Sequence, residues 1–302
     1  MVYPAKIILF GEYGMILNSK ALAIPYSKYS GTFKFSSKSA YQRTIGEIES
    51  NAALCQLVSF FKVKSQKFNF LDISQFEQDI TRGLYFESSI PSGSGLGSSG
   101  ALTAAIYNDY QLQGSGEELF IVKSKLAAIE SCIHGVSSGI DPLICWLNKP
   151  FVLENQSTIN TGIDLSPFFK NYTLYLINTN SKGNTSDFVS HFMESYQDYE
   201  FKNNIDLTYI PLINQTIDAL LVADFTTFET LLENYSLFQF TYFRKMIPEN
   251  MVTHFKYGIE SRNFTLKICG SGGGGYMIAI AKERDKAESY FSLNHLEYTI
   301  VN

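Results

Sequence analysis

Glycine and serine fill most of one segment near the middle of the chain, residues 90–101, which reads Ile-Pro-Ser-Gly-Ser-Gly-Leu-Gly-Ser-Ser-Gly-Ala. Glycine lets backbone N–H groups approach a ligand closely, and serine adds small hydroxyl groups. An apolar helical pattern follows directly, so the free N–H groups of a helix N-terminus would point back at this segment. Such an arrangement favours a polyanion, for example a nucleotide triphosphate. A flexible linker is the alternative, and the apolar segments on both sides argue against it.

The composition predicts an ordinary globular protein, because 45% of the 302 residues are hydrophobic and 18% are charged. The net charge is −5 and no dense Lys/Arg cluster occurs, so we expect no nucleic-acid partner. The four cysteines are widely spaced, which predicts a reduced, cytoplasmic protein without a disulfide framework or zinc site. We also expect no membrane partner, because no apolar stretch approaches the ~20 residues of a membrane span.

Hydrophobic periodicity predicts a mixture of strands and helices. A buried strand is expected at residues 5–10, a second strand at 68–73, and an apolar helix at 101–112. Towards the C-terminus a strand runs into another glycine-rich segment, residues 270–275, where backbone must approach something closely. Residues 150–171 are rich in turn formers and predict a domain junction.

Three charged residues lie near glycine-bearing turns, and each has two interpretations. Glu130 lies near a helix C-terminus, where a carboxylate is unfavourable by about 0.3–1 kcal/mol; it is either a solvent-exposed acid or a ligand of a cation such as Mg²⁺. Asp141 precedes Pro142 and is either a helix cap or a general base. Lys6 lies in an apolar strand, so it either has an anionic partner or points outward from an edge strand.

Known nucleotide-binding patterns fit the mid-chain segment poorly. Residues 95–100 formally match G-x-G-x-x-G, but a proline lies just upstream and no acidic residue ends a following strand. The P-loop pattern is absent because the chain contains no Gly-Lys-Ser/Thr. A dinucleotide-dependent dehydrogenase and a P-loop enzyme are therefore disfavoured.

Three glycine-bearing segments, in this order along the chain, resemble the motifs of the GHMP small-molecule kinases. Residues 6–12 (Lys-Ile-Ile-Leu-Phe-Gly-Glu) resemble the first motif, and residues 91–101 resemble the second, the phosphate-binding loop. Residues 267–275 (Lys-Ile-Cys-Gly-Ser-Gly-Gly-Gly-Gly) resemble the third. Within this superfamily, residues 133–141 (Ile-His-Gly-Val-Ser-Ser-Gly-Ile-Asp) are most similar to mevalonate kinases.

The resemblance implies an α+β protein with the two-domain GHMP kinase fold. Residues 1–170 would form a domain like the second domain of ribosomal protein S5, and residues 171–302 a ferredoxin-like domain. The implied reaction is ATP- and Mg²⁺-dependent phosphorylation of a small hydroxy acid, with mevalonate converted to 5-phosphomevalonate. Alternatives are a phosphomevalonate kinase, a sugar kinase, diphosphomevalonate decarboxylase, or a nucleotide-binding protein without catalysis. The resemblance also leaves a homodimer open.

The resemblance also implies roles for individual residues. Asp141 would be the base beside the acceptor hydroxyl, and Lys6 would keep it ionised. Ser99 and Glu130 would hold Mg²⁺. The residues expected to contact the acceptor are Glu12, Tyr13, Thr185 and Gly272. The residues expected to cradle the phosphates of ATP are Pro91, Gly93, Ser94, Gly95, Leu96, Gly97, Ser98 and Ser99.

The chain departs from the family pattern at three places. Tyr13 stands where the family usually has histidine, and Gly183 stands where mevalonate kinases often have arginine. Lys182 is the candidate to replace that lost charge. Residues 136 and 137 are Val-Ser, where mevalonate kinases typically have Asn-Pro. The first two exchanges concern the acceptor more than the phosphoryl transfer itself.

Overall fold

The computed structural model describes residues 1–37, 42–112, 116–181 and 185–301, and it combines helices with antiparallel strands. The strands are β1 (Tyr3–Phe10), β2 (Ala21–Phe35), β3 (Leu84–Ser88), β4 (Phe151–Leu153), β5 (Ile159–Asn160), β6 (Thr173–Asn178), β7 (Thr265–Ile268), β8 (Tyr276–Ala281) and β9 (Tyr298–Ile300). The helices are α1 (Ile45–Val63), α2 (Ile73–Thr81), α3 (Ser98–Tyr110), α4 (Leu119–His134), α5 (Ile140–Leu147), α6 (Ser166–Asn171), α7 (Thr185–Ser195), α8 (Tyr199–Asn204), α9 (Ile210–Leu221), α10 (Phe225–Tyr242), α11 (Val252–Ser261) and α12 (Arg284–Leu293). The α+β class predicted from the sequence is confirmed.

One compact unit comprises residues 1–6, 25–91 and 97–149. In this unit β3 pairs antiparallel with the second half of β2, with Phe33 opposite Phe86. Thr44 caps α1 in a reciprocal capping box with Glu47, which satisfies free N–H groups at the helix start. Aromatic side chains fill the core, for example Phe76 against Tyr110 with ring centroids 4.5 Å apart.

The second compact unit comprises residues 7–24, 92–96 and 150–302. Its four-stranded sheet has the order β7-β8-β6-β9, and every neighbouring pair is antiparallel. Strand β6 is apolar along nearly its whole length because it is a central strand of this sheet. Helices α9 and α10 pack together, and α10 contributes the buried rings of Tyr235 and Phe238 to the core.

Strand β2 belongs to a five-stranded sheet of order β1-β2-β4-β5, in which β3 also pairs with β2. Its first residues, Ala21 to Ala23, pair with β4. All eight residues of β1 are buried, as expected for the apolar run predicted there.

Both compact units are discontinuous in sequence. The domain division at 170/171 stays a prediction from the family resemblance.

The strand predicted at residues 68–73 is wrong. A 3₁₀ turn (Ser65–Phe68) occupies its start, and α2 begins at Ile73 with Asp72 as its cap. Leu71 makes a single bridge to Gln111. The segment is apolar because Phe68, Phe70 and Leu71 are buried as a connection between two helices, so burial without strand pairing produced the pattern.

Within the described ranges, no helix is both long and apolar enough to cross a lipid bilayer.

Candidate active site

The mid-chain glycine segment ends as the N-terminus of α3. Gly93, Gly95 and Gly97 have φ values of +69°, +78° and +81°, which residues with a side chain rarely adopt. Gly97 is the N-cap of α3, so Ser98 and Ser99 lie in the first helical turn, where backbone N–H groups have no intrahelical partner. The segment therefore combines an unusual backbone with the positive end of a helix dipole.

The loop residues before Gly97 pack directly against the C-terminal glycine run. A side chain at position 275 would place its Cβ 2.6 Å from the carbonyl oxygen of Ser94, and one at position 95 would lie 3.4 Å from the carbonyl of Cys269. The Ser94 side chain is buried and its hydroxyl accepts the N–H of Leu96, which is itself fully buried. The close approach expected at residues 270–275 is therefore to the mid-chain loop.

Lys6 and Asp141 form an ion pair in the first unit, with 2.8 Å between Lys6 Nζ and Asp141 Oδ2. The Lys6 side chain is 4% exposed and that of Asp141 is 35% exposed. Asp141 lies in the first turn of α5, where the helix dipole favours a carboxylate. The chain enters α5 through Gly139, whose φ of +75° suits glycine alone. The cost of burying the charge of Lys6 is thus reduced by an ion pair with a carboxylate that solvent can reach.

Glu130 is buried in α4 and accepts two hydroxyl groups. Ser99 Oγ donates to Glu130 Oε1 at 3.0 Å, and Ser137 Oγ donates to Oε2 at 2.5 Å. Ser99 is in α3, and Ser137 follows the end of α4, so three successive parts of the fold meet at this carboxylate. The structure thus brings Ser99 and Glu130 together, as it does Lys6 and Asp141.

Burial, and secondarily the charge of Asp141, raises the pKa of Glu130 to about 7, although both serines and Lys6 oppose the shift. The site holds more negative charge than Lys6 offsets, which suits a divalent cation. Within the described residues no group of three or more Asp, Glu, His or Cys side chains could hold a metal. One carboxylate and one hydroxyl fit Mg²⁺ that takes its other ligands from phosphate oxygens and water.

Glu12 lies in a different, fully buried network in the second unit. Its carboxylate forms an ion pair with Lys267 and accepts a hydrogen bond from Tyr235 Oη at 2.7 Å. The side chains of Lys267 and Glu12 are 0% and 1% exposed. Burial raises the pKa of Glu12, and Lys267 opposes that shift. Tyr209 extends the network by donating to the Glu12 carbonyl oxygen at 3.2 Å.

Tyr13 is the centre of a strained turn directly after Glu12. Its φ is +61° and its ψ is −45°, and the N–H of Gly14 donates to the Glu12 carbonyl at 2.6 Å. This is a γ-turn of the uncommon, strained kind. The Tyr13 hydroxyl donates to the carbonyl of Ser271 at 2.5 Å, and its ring packs on Phe192. The residue replacing the family's histidine is thus tied to the C-terminal glycine run.

The remaining acceptor-site residues fall into two groups. Gly272 lies in a tight turn: its N–H donates to Cys269 at 3.3 Å, and a Cβ there would lie 2.5 Å from the carbonyl of Met246. Thr185 begins α7, but its side chain, together with all of Lys182 and Gly183, lies outside the described residues.

Sequence reasoning assigned no role to Lys267, Tyr235 or Ser137. Lys267 carries the same signal as Lys6, a lysine inside an apolar strand, which requires an anionic partner. Tyr235 and Ser137 give no such signal, because a tyrosine in an apolar helix and a serine in a turn are common. Tyr235 reaches Glu12 from 223 positions away, and Ser137 reaches Glu130, seven positions away, through the turn that follows α4.

A sequence model of the family described as "GHMP kinases N terminal domain" matches residues 59–149. The solved L. major mevalonate kinase in complex with R-mevalonate covers 96% of this chain and 89% of its own, at a TM-score of 0.65 and 15% identity. The chain is related to the GHMP kinases and shares their fold. The resemblance given by the three glycine-bearing motifs is therefore confirmed.

Two further proteins to which the chain is similar have different acceptors in their names. Mevalonate kinase of Thermococcus sibiricus is 24% identical in an alignment 306 positions long, gaps included, which covers 93% of this chain and 88% of that protein. Streptococcus pneumoniae phosphomevalonate kinase, solved with phosphomevalonate and AMPPNP, has a TM-score of 0.66 at 14% identity and covers 100% of this chain and 99% of its own. The similar TM-scores show that the fold does not distinguish these two acceptors.

Proposed function

We propose that this GHMP kinase relative transfers a phosphoryl group from ATP to the hydroxyl of a small hydroxy acid, and that mevalonate is its acceptor. The observation that carries the proposal is the Lys6–Asp141 pair, in which a buried lysine holds a carboxylate that is 35% exposed. Phosphoryl transfer needs mainly positioning and charge stabilisation, and the chain offers a base, a lysine, a carboxylate and a glycine-rich loop in the expected order.

Asp141 would accept the proton of the acceptor hydroxyl. Lys6 lies 2.8 Å from one carboxylate oxygen and keeps the side chain in place, so the proton has an acceptor as the oxygen attacks. Because the Lys6 side chain is nearly excluded from water, its charge acts through a low dielectric and stabilises the negative charge that develops during transfer.

Glu130 and Ser99 would hold Mg²⁺, and the loop of residues 91–99 would hold the phosphates through backbone N–H groups at the start of α3. When bound, the metal would neutralise charge on the phosphate oxygens. The buried Glu130 carboxylate, whose pKa is raised to about 7, supports this assignment, because a bound cation would compensate the cost of burying its negative charge.

Mevalonate is proposed as acceptor on the similarity to the Thermococcus mevalonate kinase and on residues 133–141. Glu12, Tyr13, Thr185 and Gly272 remain proposed acceptor contacts. Glu12 and the Tyr13 hydroxyl are both buried and engaged within the protein, so contact of either with the acceptor would require these hydrogen bonds to rearrange. A different acceptor is the second candidate, because Tyr13 and Gly183 replace a histidine and an arginine of the family pattern.

ADP release in a coupled assay, with mevalonate, phosphomevalonate, diphosphomevalonate, galactose and water as acceptors, tests this proposal. We expect mevalonate to give the largest kcat/KM, with one ADP formed per phosphorylated product. Release of CO₂ with diphosphomevalonate would replace the kinase by a decarboxylase. Nucleotide binding without acceptor-dependent ADP release would leave a non-catalytic protein. The cytoplasmic location, the homodimer, and the lack of nucleic-acid or membrane partners stay predictions.

A further inference from the structure

Ser137 is a contact of the candidate metal ligand that the family pattern does not supply. Mevalonate kinases typically have proline at this position, and proline has no hydroxyl group to donate. In this chain Ser137 Oγ donates to Glu130 Oε2 at 2.5 Å. A hydrogen bond to a buried carboxylate is about twice as strong as one between neutral groups and fixes the direction of the carboxylate.

The two oxygens of Glu130 have different partners. Oε1 accepts from Ser99 at 3.0 Å, and Ser99 is the other proposed metal ligand. Oε2 accepts from Ser137, which is not a proposed ligand. Ser137 therefore holds the carboxylate through Oε2, and Oε1 is the oxygen next to the other proposed ligand, Ser99.

The same hydroxyl also shapes the connection into α5. Ser137 Oγ accepts the N–H of Gly139 at 3.0 Å, which closes a turn two residues long. Gly139 is the N-cap of α5, and Asp141 lies in the first turn of that helix. One hydroxyl group thus connects the carboxylate proposed as metal ligand with the start of the helix that carries the proposed base.

We infer that Ser137 is a positioning residue, which orients Glu130 for Mg²⁺ through Oε2 and connects it to the helix of Asp141. The inference rests on the proposed function, because it concerns the metal ligand of that reaction. Outer groups that orient a ligand typically contribute about 10- to 100-fold to metal affinity. Loss of the hydroxyl should therefore weaken Mg²⁺ binding more than it lowers the maximal rate.

The chain offers a matched control in the neighbouring serine. Ser138 Oγ accepts the N–H of Ile140 at 3.3 Å, so it closes the same kind of turn one residue later. Ser138 makes no hydrogen bond to Glu130 within the described residues. Ser138→Ala removes a turn hydrogen bond and leaves the carboxylate contact intact, which separates an effect on the loop from an effect on Glu130.

The experiment compares the full-length protein with Ser137→Ala, Ser137→Thr and Ser138→Ala. Two quantities are measured: the affinity for AMPPNP by calorimetry with and without Mg²⁺, and the Mg²⁺ concentration for half-maximal activity with mevalonate. We expect Ser137→Ala to raise that concentration about 10-fold and to lose most of the Mg²⁺-dependent gain in AMPPNP affinity. Ser137→Thr and Ser138→Ala should stay within about threefold of the wild type. If the alanine variant fails to fold, Ser137→Cys replaces it, because a thiol is a weak donor of similar size.

A second comparison tests whether Ser137 acts through Glu130. Adding Ser137→Ala to Glu130→Gln should cause no further loss of Mg²⁺ dependence, because the group it orients is already changed. Equal effects of Ser137→Ala and Ser138→Ala, or an additive double variant, would overturn the inference while the wild type still binds AMPPNP in a Mg²⁺-dependent way. A wild type whose AMPPNP affinity is the same with and without Mg²⁺ would instead overturn the proposed function, and this inference with it.

Discussion

The described part of the chain contains two lysine–carboxylate pairs in which a buried lysine lies on a strand. We call Lys6–Asp141, in the first compact unit, the open pair, and Lys267–Glu12, in the second, the closed pair. In both pairs the lysine is excluded from water. The carboxylates differ: the Asp141 side chain is 35% exposed, whereas that of Glu12 is 1% exposed and also accepts a hydrogen bond from Tyr235. An exposed carboxylate can exchange a proton with a ligand, and a buried, saturated one cannot do so without breaking its contacts.

The difference teaches that one motif serves two purposes. Residues 6–12 supply Lys6 to the open pair and Glu12 to the closed pair. The closed pair, with Tyr235 and Tyr209, fixes the turn that follows β1. We therefore expect variants of the open pair to change turnover, and variants of the closed pair to change stability.

The largest expected effect is on catalysis, from Asp141→Asn. Asparagine has the same shape but cannot take a proton, so kcat should fall about 100- to 10,000-fold. AMPPNP affinity should stay close to the wild type, and the loss of unfolding free energy should be smaller than for Glu12→Gln, because water reaches the partly exposed position beside Lys6. A kcat within threefold of the wild type would remove Asp141 from the mechanism and with it the catalytic half of the comparison.

The largest loss of unfolding free energy is expected from variants of the closed pair. Glu12→Gln leaves the buried charge of Lys267 without its counterion, and such a loss costs about 3–5 kcal/mol of unfolding free energy. Lys267→Met should also destabilise, while the double variant should be less destabilised than the sum of the single variants. Urea unfolding of all four proteins measures this. Additive losses would show that the two residues do not act as a pair.

Glu130 should make stability depend on pH. Its pKa in the folded protein is about 7, raised by burial from an ordinary 4.5, so the folded state holds a proton that the unfolded state has lost. The contribution of Glu130 to the unfolding free energy should therefore be fully present below about pH 4.5. It should fall by about 2–3 kcal/mol as the pH rises to about 7.

Comparison of wild type and Glu130→Gln at pH 5 and pH 8, without added Mg²⁺, isolates this contribution. Glutamine does not titrate, so the variant should lose less stability between the two pH values than the wild type does. Glu12 shifts in the same direction but is present in both proteins and cancels. Identical pH dependence of the two proteins would contradict the burial effect on Glu130.

The smallest expected effect is from Tyr13→Phe. The change removes the hydroxyl that donates to Ser271 at 2.5 Å, and keeps the ring against Phe192 and Phe243. The loss should be about 0.5–1.5 kcal/mol, measured by urea unfolding. A gain in stability would show that the hydrogen bond from Tyr13 to Ser271 does not stabilise the folded protein.

The sequence predicted the catalytic candidates better than their surroundings. Lys6, Ser99 and Asp141 lie in segments that resemble family motifs, and a lysine in an apolar strand by itself demands a partner. The Lys267–Glu12 pair joins residues 255 positions apart, so the lysine in its apolar strand indicates that a partner is needed but not which residue it is. The γ-turn at Tyr13 is equally hidden, because its positive φ is imposed by packing and not by the choice of a glycine.

Local patterns also misled where burial and pairing differ. Residues 68–73 alternate like a strand but form a buried connection before α2, because the core around Phe68 accepts apolar side chains from any backbone conformation. Ser137 shows the converse: an ordinary turn residue becomes a partner of Glu130 because the turn after α4 folds back on that helix.

The contact between the two glycine-rich segments has a consequence for how such chains can change. A Cβ at position 275 would lie 2.6 Å from the Ser94 carbonyl, so neither segment can gain bulk or shift unless the other yields. We therefore expect residues 92–96 and 270–275, though far apart in sequence, to change together in evolution. A chimera that transplants only one of them from a relative with a differently shaped loop should misfit, whereas one that transplants both should be tolerated.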